Sequence, residues 1–246
     1  MFSFFKKKEP DKNITFNYGS VMVDMHSHVL PGIDDGAQTP GESVALIKKM
    51  MALGIKKIIA TPHVMADFYR NTPETISAAL ETLKAELKKQ EIDIPIETAA
   101  EHYFDETFPK RVEDRRVFTM GDNYVLFEYS FISPPPNASG VIQKMIELGY
   151  KPILAHPERY PYLDTEAMAN LRRQGCNLQL NTISLAGYYG KDVKKKAEAM
   201  IDLQLVDFIA SDMHHLKHAA ALRDALATLY LQKILVDYPL KNVMLR

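Results

Sequence analysis

Short apolar runs alternate with amphipathic helical patterns from residue 21 to the C-terminus, and this alternation restricts the chain to a parallel α/β architecture. The strand-like runs are Val21–Met25, Lys57–Ala60, Ile94–Ala99, Tyr124–Phe127, Pro152–Ala155, Asn177–Leu180 and Val206–Ala210. Between them, Glu42–Leu53 places Val44, Ile47 and Met51 on one helical face. Glu74–Gln90 does the same with Ile76, Leu80, Leu83 and Leu87, spaced four, three and four. Val141–Leu148, Glu166–Gln174, Val193–Leu203 and Ala219–Leu229 complete the helical set. Gly54, Gly149 and Gly175 each fall just past a helical stretch, where a residue of positive φ ends a helix. Strand, helix and strand in this order form a right-handed crossover between parallel neighbours. About seven such units without a break in composition predict one closed or nearly closed barrel. A doubly wound open sheet is the alternative. Residues 1–20 are read as an N-terminal extension and residues 21–246 as a single domain.

Several function classes fall away on composition. A net charge of −1 lacks the basic field that a nucleic-acid binder needs. The single cysteine, Cys176, excludes an intramolecular disulfide and fits a reducing compartment. No apolar run approaches the ~18 residues of a membrane span. At the start, three phenylalanines precede Lys6-Lys7-Lys8, the reverse of a signal-peptide order, so a cytoplasmic protein is expected. That segment is read as a solvated tail, with weak contact to an anionic membrane surface as the second reading. Pro134-Pro135-Pro136 is a stiff loop, not a domain boundary.

In a parallel barrel the C-terminal ends of the strands converge on one face, where ligands bind. After the first run come His26 and His28, then Asp34-Asp35-Gly36. The second is followed by Thr61-Pro62-His63, the third by Glu101-His102 and the fourth by Glu128. The fifth leads into His156-Pro157-Glu158-Arg159, the sixth into Asn181, and the seventh into Asp212-Met213-His214-His215. Residues i and i+2 of a strand share a face, so His26 and His28 project together, as do Asp212 and His214. A lone histidine of this kind is ordinarily a loop or core residue. A histidine or carboxylate after six of about seven strands, with five of the eight histidines in that register, is a convergent metal-binding set. Imidazole and carboxylate suit Zn, Fe or Mn, and several carboxylates favour the harder metals. About eight ligands exceed the needs of one tetrahedral ion, so two or three ions are expected, bridged by Glu101 or Asp212. Paired ions suit hydrolytic displacement at phosphorus or carbon. Arg159 carries a planar fork that matches two phosphate oxygens; an ion pair with Glu158 or Asp164 explains it equally well.

The motifs His26-x-His28, Asp34-Asp35-Gly36, Thr61-Pro62-His63, His156-Pro157-Glu158-Arg159 and Ser211-Asp212-Met213-His214 resemble those of the polymerase and histidinol phosphatase (PHP) superfamily. More narrowly, Asp24-Met25-His26-Ser27-His28, Ala155-His156-Pro157-Glu158-Arg159-Tyr160 and Ile209-Ala210-Ser211-Asp212-Met213-His214 resemble the bacterial PHP-type protein-tyrosine phosphatases of capsule and exopolysaccharide loci. The resemblance implies a distorted (β/α)7 barrel and a multinuclear site usually served by manganese, with Fe, Co or Zn as alternatives. It implies hydrolysis of phosphotyrosine on the tail of a bacterial tyrosine autokinase that controls polysaccharide synthesis. It carries ligand roles to His26, His28, His63, Glu101, His156, Asp212 and His214, with Asp35 preferred to Asp34. It makes Arg159 the phosphate-binding residue and, with Asp212, a catalytic one. The chain departs from the pattern in its N-terminal extension and in a second basic phosphate contact, for which Lys217, His218 and Arg223 all lie nearby.

A cysteine-dependent phosphatase is excluded, since it needs an arginine six residues past its thiolate and Thr182 stands there after Cys176. A metal-dependent amidohydrolase opens with His-x-His, but commonly uses a modified lysine after the fourth strand, where this chain has Glu128. A histidinol-phosphate-type phosphomonoesterase is the nearest alternative, and a catalytically silent regulator docking on a kinase is a third.

Overall fold

Strand β1 (Val23–Asp24) pairs in parallel with β2 (Lys57–Ala60), and β2 with β4 (Ile96–Thr98), in the computed structural model, which describes residues 18–246. A second parallel sheet runs in the order β3 (His63–Val64), β5 (Glu101–Tyr103), β6 (Tyr124–Glu128), β7 (Lys151–Ala155), β8 (Asn177–Asn181) and β9 (Phe208–Ala210). The two sheets are one wall. β3 continues the line of β2 beyond Thr61-Pro62, and β5 continues β4 beyond Ala99-Ala100. Ala99 N donates to Ala60 O, and Glu101 N donates to Pro62 O, carrying the ladder across the gap. Proline has no N–H to give, so the ladder breaks at Pro62. On the other side Ser27 bridges in parallel to Met213. There Asp212 N donates to His26 O at 2.9 Å and His28 N to Met213 O at 2.8 Å, joining the first strand to the last. The result is a seven-position (β/α) barrel distorted at these two places.

Most strands are buried on both faces, β4 being the exception, which is why they read as continuous apolar runs and not as alternating ones. One set of side chains, among them Val23, Ile59, Leu126, Ile153 and Phe208, forms an inner core. The alternate set, including Ile58, Phe127, Leu154 and Ile209, joins the larger core with the helices. These are α1 (Pro40–Ala52), α2 (Pro73–Lys89), α3 (Phe108–Glu113), α4 (Ala138–Glu147), α5 (Thr165–Arg173), α6 (Lys191–Asp202), α7 (Leu216–Leu226) and α8 (Leu229–Asp237). Thr39, Thr72 and Asp164 cap the starts of α1, α2 and α5 through their side-chain oxygens.

Two expectations about the helices are corrected. The helix expected over Ala219–Leu229 is α7, which ends at Leu226, and a further helix, α8, was not expected; the Thr228 hydroxyl accepts from Leu231 N and starts it. α3 was not expected; its six residues are too few for a periodic signal. The packing of the described residues includes Tyr18. Tyr18 opens a 3-10 turn, is fully buried, donates from its N to Leu53 O and meets Thr182 through its hydroxyl. The Phe- and Lys-rich start lies outside the described residues. No described helix is long and apolar enough to cross a membrane.

Candidate metal centre

Asp34-Asp35-Gly36 loops back over the end of β1, and its close approach dictates the glycine. A Cβ on Gly36 would lie 2.0 Å from His28 O. The two acids of this loop part ways. Asp34 is buried, accepts from Gly36 N and lies 2.8 Å from His28 Nδ1, turned away from the cluster centre. Asp35 faces the histidines, with Oδ1 at 3.4 Å from His63 Nε2 and 3.5 Å from His214 Nε2.

All eight residues expected as ligands converge at the C-terminal ends of the strands, together with Glu128. His26 Nε2 lies 3.2 Å from His28 Nε2, 3.2 Å from Glu101 Oε2 and 3.4 Å from Asp212 Oδ1, and His28 Nε2 lies 3.4 Å from Glu101 Oε2 and 3.6 Å from Asp212 Oδ1. Donor atoms held at about 2.0–2.2 Å from one tetrahedral ion stand about 3.3–3.6 Å from one another, so the His26, His28 and Glu101 atoms have the spacing of part of a coordination shell, with Asp212 close to both histidines. A second group comprises His28, Asp35, His63 and His214. In a third, His63 Nδ1 lies 3.3 Å from both Glu101 Oε2 and Glu128 Oε1. His156 Nε2 stands 3.0 Å from Glu101 Oε1 and 3.8 Å from Glu128 Oε2. Glu101 thus presents oxygens to more than one group, as a bridging carboxylate must.

The hydrogen bonding fits cations. Asp212 Oδ1 and the Nδ1 atoms of His63 and His156 are buried without a hydrogen-bond partner. Buried polar atoms are seldom left so, and an ion would satisfy them. The outer ring nitrogens are tied down instead: His26 Nδ1 to Gln179 Oε1 at 2.9 Å, His28 Nδ1 to Asp34, and His214 Nδ1 to Asp212 O at 2.9 Å. Each such bond selects the tautomer whose Nε2 lone pair points inward. His156 and Asp212 hold left-handed backbones, φ 33° and 51°. Such conformations cost on the order of 1–3 kcal/mol each and persist where the surroundings impose them.

Without ions, protons on imidazole supply the missing positive charge. Burial opposes the charged form of His63, yet Glu101 and Glu128 outweigh it and raise its pKa to about 9. Burial would likewise raise Asp212, but His26, His214 and Arg159 hold it below the ordinary carboxylate range.

Arg159 sits in the 3-10 turn Pro157–Arg159 that follows β7. Neither acid considered as its partner holds it. Glu158 is turned into the protein, accepting from Asn181 N and Ser184 Oγ, and burial raises its pKa to about 7. Asp164 caps α5. Arg159 Nη1 instead lies 3.0 Å from Asp212 Oδ2, which also accepts from Asn181 Nδ2 at 2.8 Å. Its guanidinium carbon lies 4.2 Å from the Tyr189 ring centroid and 4.7 Å from that of Phe131, a cation–π pairing on two rings.

These groups line a cavity of about 630 Å³ whose walls include Tyr69, Tyr103, Phe131 and Tyr189. Of the three basic residues considered for a second phosphate contact, only His218 lines it; Arg223 is exposed and pairs with Asp224. Glu128 is the residue that sequence reasoning noted at a strand end but left out of the ligand set. His102 serves the fold: its Nε2 accepts from Phe118 N, and burial lowers its pKa to about 3. Cys176 lies at the start of β8, the opposite end of the barrel, where burial pushes its thiol up to about 12.

Comparison with known proteins agrees with this geometry. Tyrosine-protein phosphatase YwqE of Bacillus subtilis is 31% identical over 199 residues, covering 80% of this chain and 78% of the relative. Tyrosine-protein phosphatase CpsB of Streptococcus pneumoniae is 28% identical over 239 residues, covering 91% and 98%. A solved structure from work on YwqE of B. subtilis and CpsB of S. pneumoniae, described as unique metal-dependent tyrosine phosphatases, matches with a TM-score of 0.80 at 29% identity, covering 91% of each chain. The profile of the family described as capsular polysaccharide synthesis, CpsB/CapC, matches residues 22–241. With the profile spanning nearly all of the described barrel, the chain belongs to the CpsB/CapC capsular polysaccharide synthesis family.

Proposed function

We propose that this chain is a metal-dependent protein-tyrosine phosphatase acting in capsule or exopolysaccharide synthesis. Its substrate is the phosphotyrosyl tail of a bacterial tyrosine autokinase, reached in the cytoplasm. The observation that carries the assignment is the convergence of the donor groups, two of which share Glu101, with Arg159 beside them on one cavity wall. Two or three ions would be held among four overlapping groups, His26/His28/Glu101, His26/His156/Asp212, His28/Asp35/His63/His214 and His63/Glu101/Glu128, with each ring nitrogen serving one ion. Mn2+ suits this carboxylate-rich set best, with Fe, Co and Zn as alternatives. When bound, the ions supply Lewis acidity and a nucleophile at neutral pH.

The protein's own groups do the rest. Arg159 exchanges its bond with Asp212 Oδ2 for two phosphoryl oxygens, held in plane by Tyr189 and Phe131. The aromatic walls receive the tyrosyl ring. Among the described residues no side chain is assigned as a nucleophile that would form a phosphoenzyme, and Cys176 lies at the opposite end of the barrel from the cavity. Hydrolysis of a phosphotyrosyl peptide, compared with histidinol phosphate and measured with and without Mn2+ after exhaustive chelation, tests the assignment. Turnover should vanish with chelation, return with Mn2+ and favour the peptide. A preference for histidinol phosphate would move the chain to the alternative phosphomonoesterase class.

A further inference from the structure

A second hollow, of about 610 Å³, lies beside the first and shares a wall with it. Arg70, Arg111, Arg115 and Arg116 line it, and no carboxylate does among the described residues. The partition is the loop after β3. Met65 lines both hollows, Tyr69 faces the metal-centre cavity, and the next residue, Arg70, faces the groove. Met65 N donates to Tyr69 O at 2.9 Å, which closes the loop, and Phe68 stands on it 78% exposed.

The four arginines are not equivalent. Arg111 is braced by Asp105 at 3.2 Å and Arg116 by Asp114 at 2.8 Å. Arg70 and Arg115 bond only to backbone, Ala66 O at 2.7 Å and Leu148 O at 3.3 Å, and neither has an ion-pair partner among the described residues. Arg115 also follows the C-cap of α3 with φ 57°, a position and conformation that favour glycine. A long cation stands where the backbone alone would select no side chain.

We propose that this groove receives acidic residues flanking a phosphotyrosine, so that the chain is selective for acidic phosphotyrosyl segments of its protein substrate. This rests on the phosphatase activity proposed above. The phosphate lies at the donor groups, the segment crosses the Met65–Arg70 partition, and carboxylates a few residues away meet Arg70 and Arg115. The phosphotyrosine supplies chemistry; the groove supplies choice among phosphotyrosines, through charge pairing that also speeds encounter.

The test uses the metal-loaded full chain and two peptides, one with Asp/Glu flanks and one with Ser/Ala flanks. Fluorescence anisotropy measures binding of the unphosphorylated peptides. Steady-state kinetics measures kcat/KM for the phosphorylated pair and for p-nitrophenyl phosphate. The acidic peptide should bind and turn over roughly tenfold better at low salt, the sum expected of two exposed charge pairs. Added salt should erode that preference. In the double variant Arg70→Ala, Arg115→Gly the preference should disappear, with turnover of p-nitrophenyl phosphate unchanged. Glycine relieves the positive φ at position 115, so the melting temperature of Arg115→Gly alone should not fall. Equal binding of both peptides by the wild type, or a preference that survives in the double variant, overturns the proposal. Selective acidic binding without hydrolysis of any phosphotyrosyl peptide would instead overturn the phosphatase assignment and leave the groove as an acidic-peptide site.

Discussion

A guanidinium fork and an ammonium differ in geometry more than in charge, and Arg159 is where that difference should be measurable. It touches Asp212 through Oδ2 alone, while the unpartnered Oδ1 faces the donor groups. Arg159→Ala should therefore keep its metals yet lose about one to two decades in kcat/KM, the worth of roughly 1.5–3 kcal/mol of charge-assisted bonding. Arg159→Lys should recover only part of it. Kinetics and metal content on the same samples decide the matter, and an unchanged kcat/KM would return Arg159 to a purely structural pairing. The long-range Arg159–Asp212 pair was not legible in the sequence, where Glu158 and Asp164 were the nearer acids. His63 makes a second residue-scale prediction. Its pKa of about 9 in the ion-free protein exceeds the ordinary histidine value. Its contribution to stability is thus complete below about pH 6.5 and is lost as pH rises through about 9. Metal binding needs the neutral ring, so metal uptake near pH 7.5 should release protons and tighten as pH rises through the same window. Titration calorimetry in buffers of different ionisation enthalpy would reveal it; heats independent of buffer would contradict it.

At the scale of elements, the site is a property of strand ends. The donors His26, His28, His156 and Asp212 lie just past β1, β7 and β9, beyond the strand residues that carry the inner core. His26→Ala, His156→Ala and Asp212→Ala should each lose metal and activity while the far-ultraviolet circular dichroism stays that of the wild type. Cys176→Ser, at the opposite end, is the control that should keep both metal and activity. Full metal occupancy in all three ligand variants would mean the donor groups are misassigned. The strand–helix order was legible because strands buried on both faces read as apolar runs. The break at Pro62 and the further helix that starts after Thr228 were not, since each depends on where one hydrogen bond goes.

For the whole molecule, the donors come from both ends of the chain, and an ion shared by His26 and Asp212 ties the first strand to the last. Metal should therefore stabilise the fold as a unit: at a free concentration 100 times Kd the gain is about 2.7 kcal/mol. Chelation should lower the melting temperature, and Mn2+ should raise it with increasing concentration. A melting temperature indifferent to both would separate the ions from the folding unit. The sequence alone pointed to a parallel barrel and to the face that carries the chemistry, and set His26, His28, His63, Glu101, His156, Asp212 and His214 at strand ends, because strand periodicity and crossover handedness are local rules. Tertiary structure decided the rest: Asp35 inward and Asp34 behind His28, Glu128 within the donor set, Tyr18 inside the packed structure, and four arginines gathered beside the cavity. Those outcomes depend on distances between residues far apart in the chain or on the turn of a single loop, and no periodicity in the sequence encodes them.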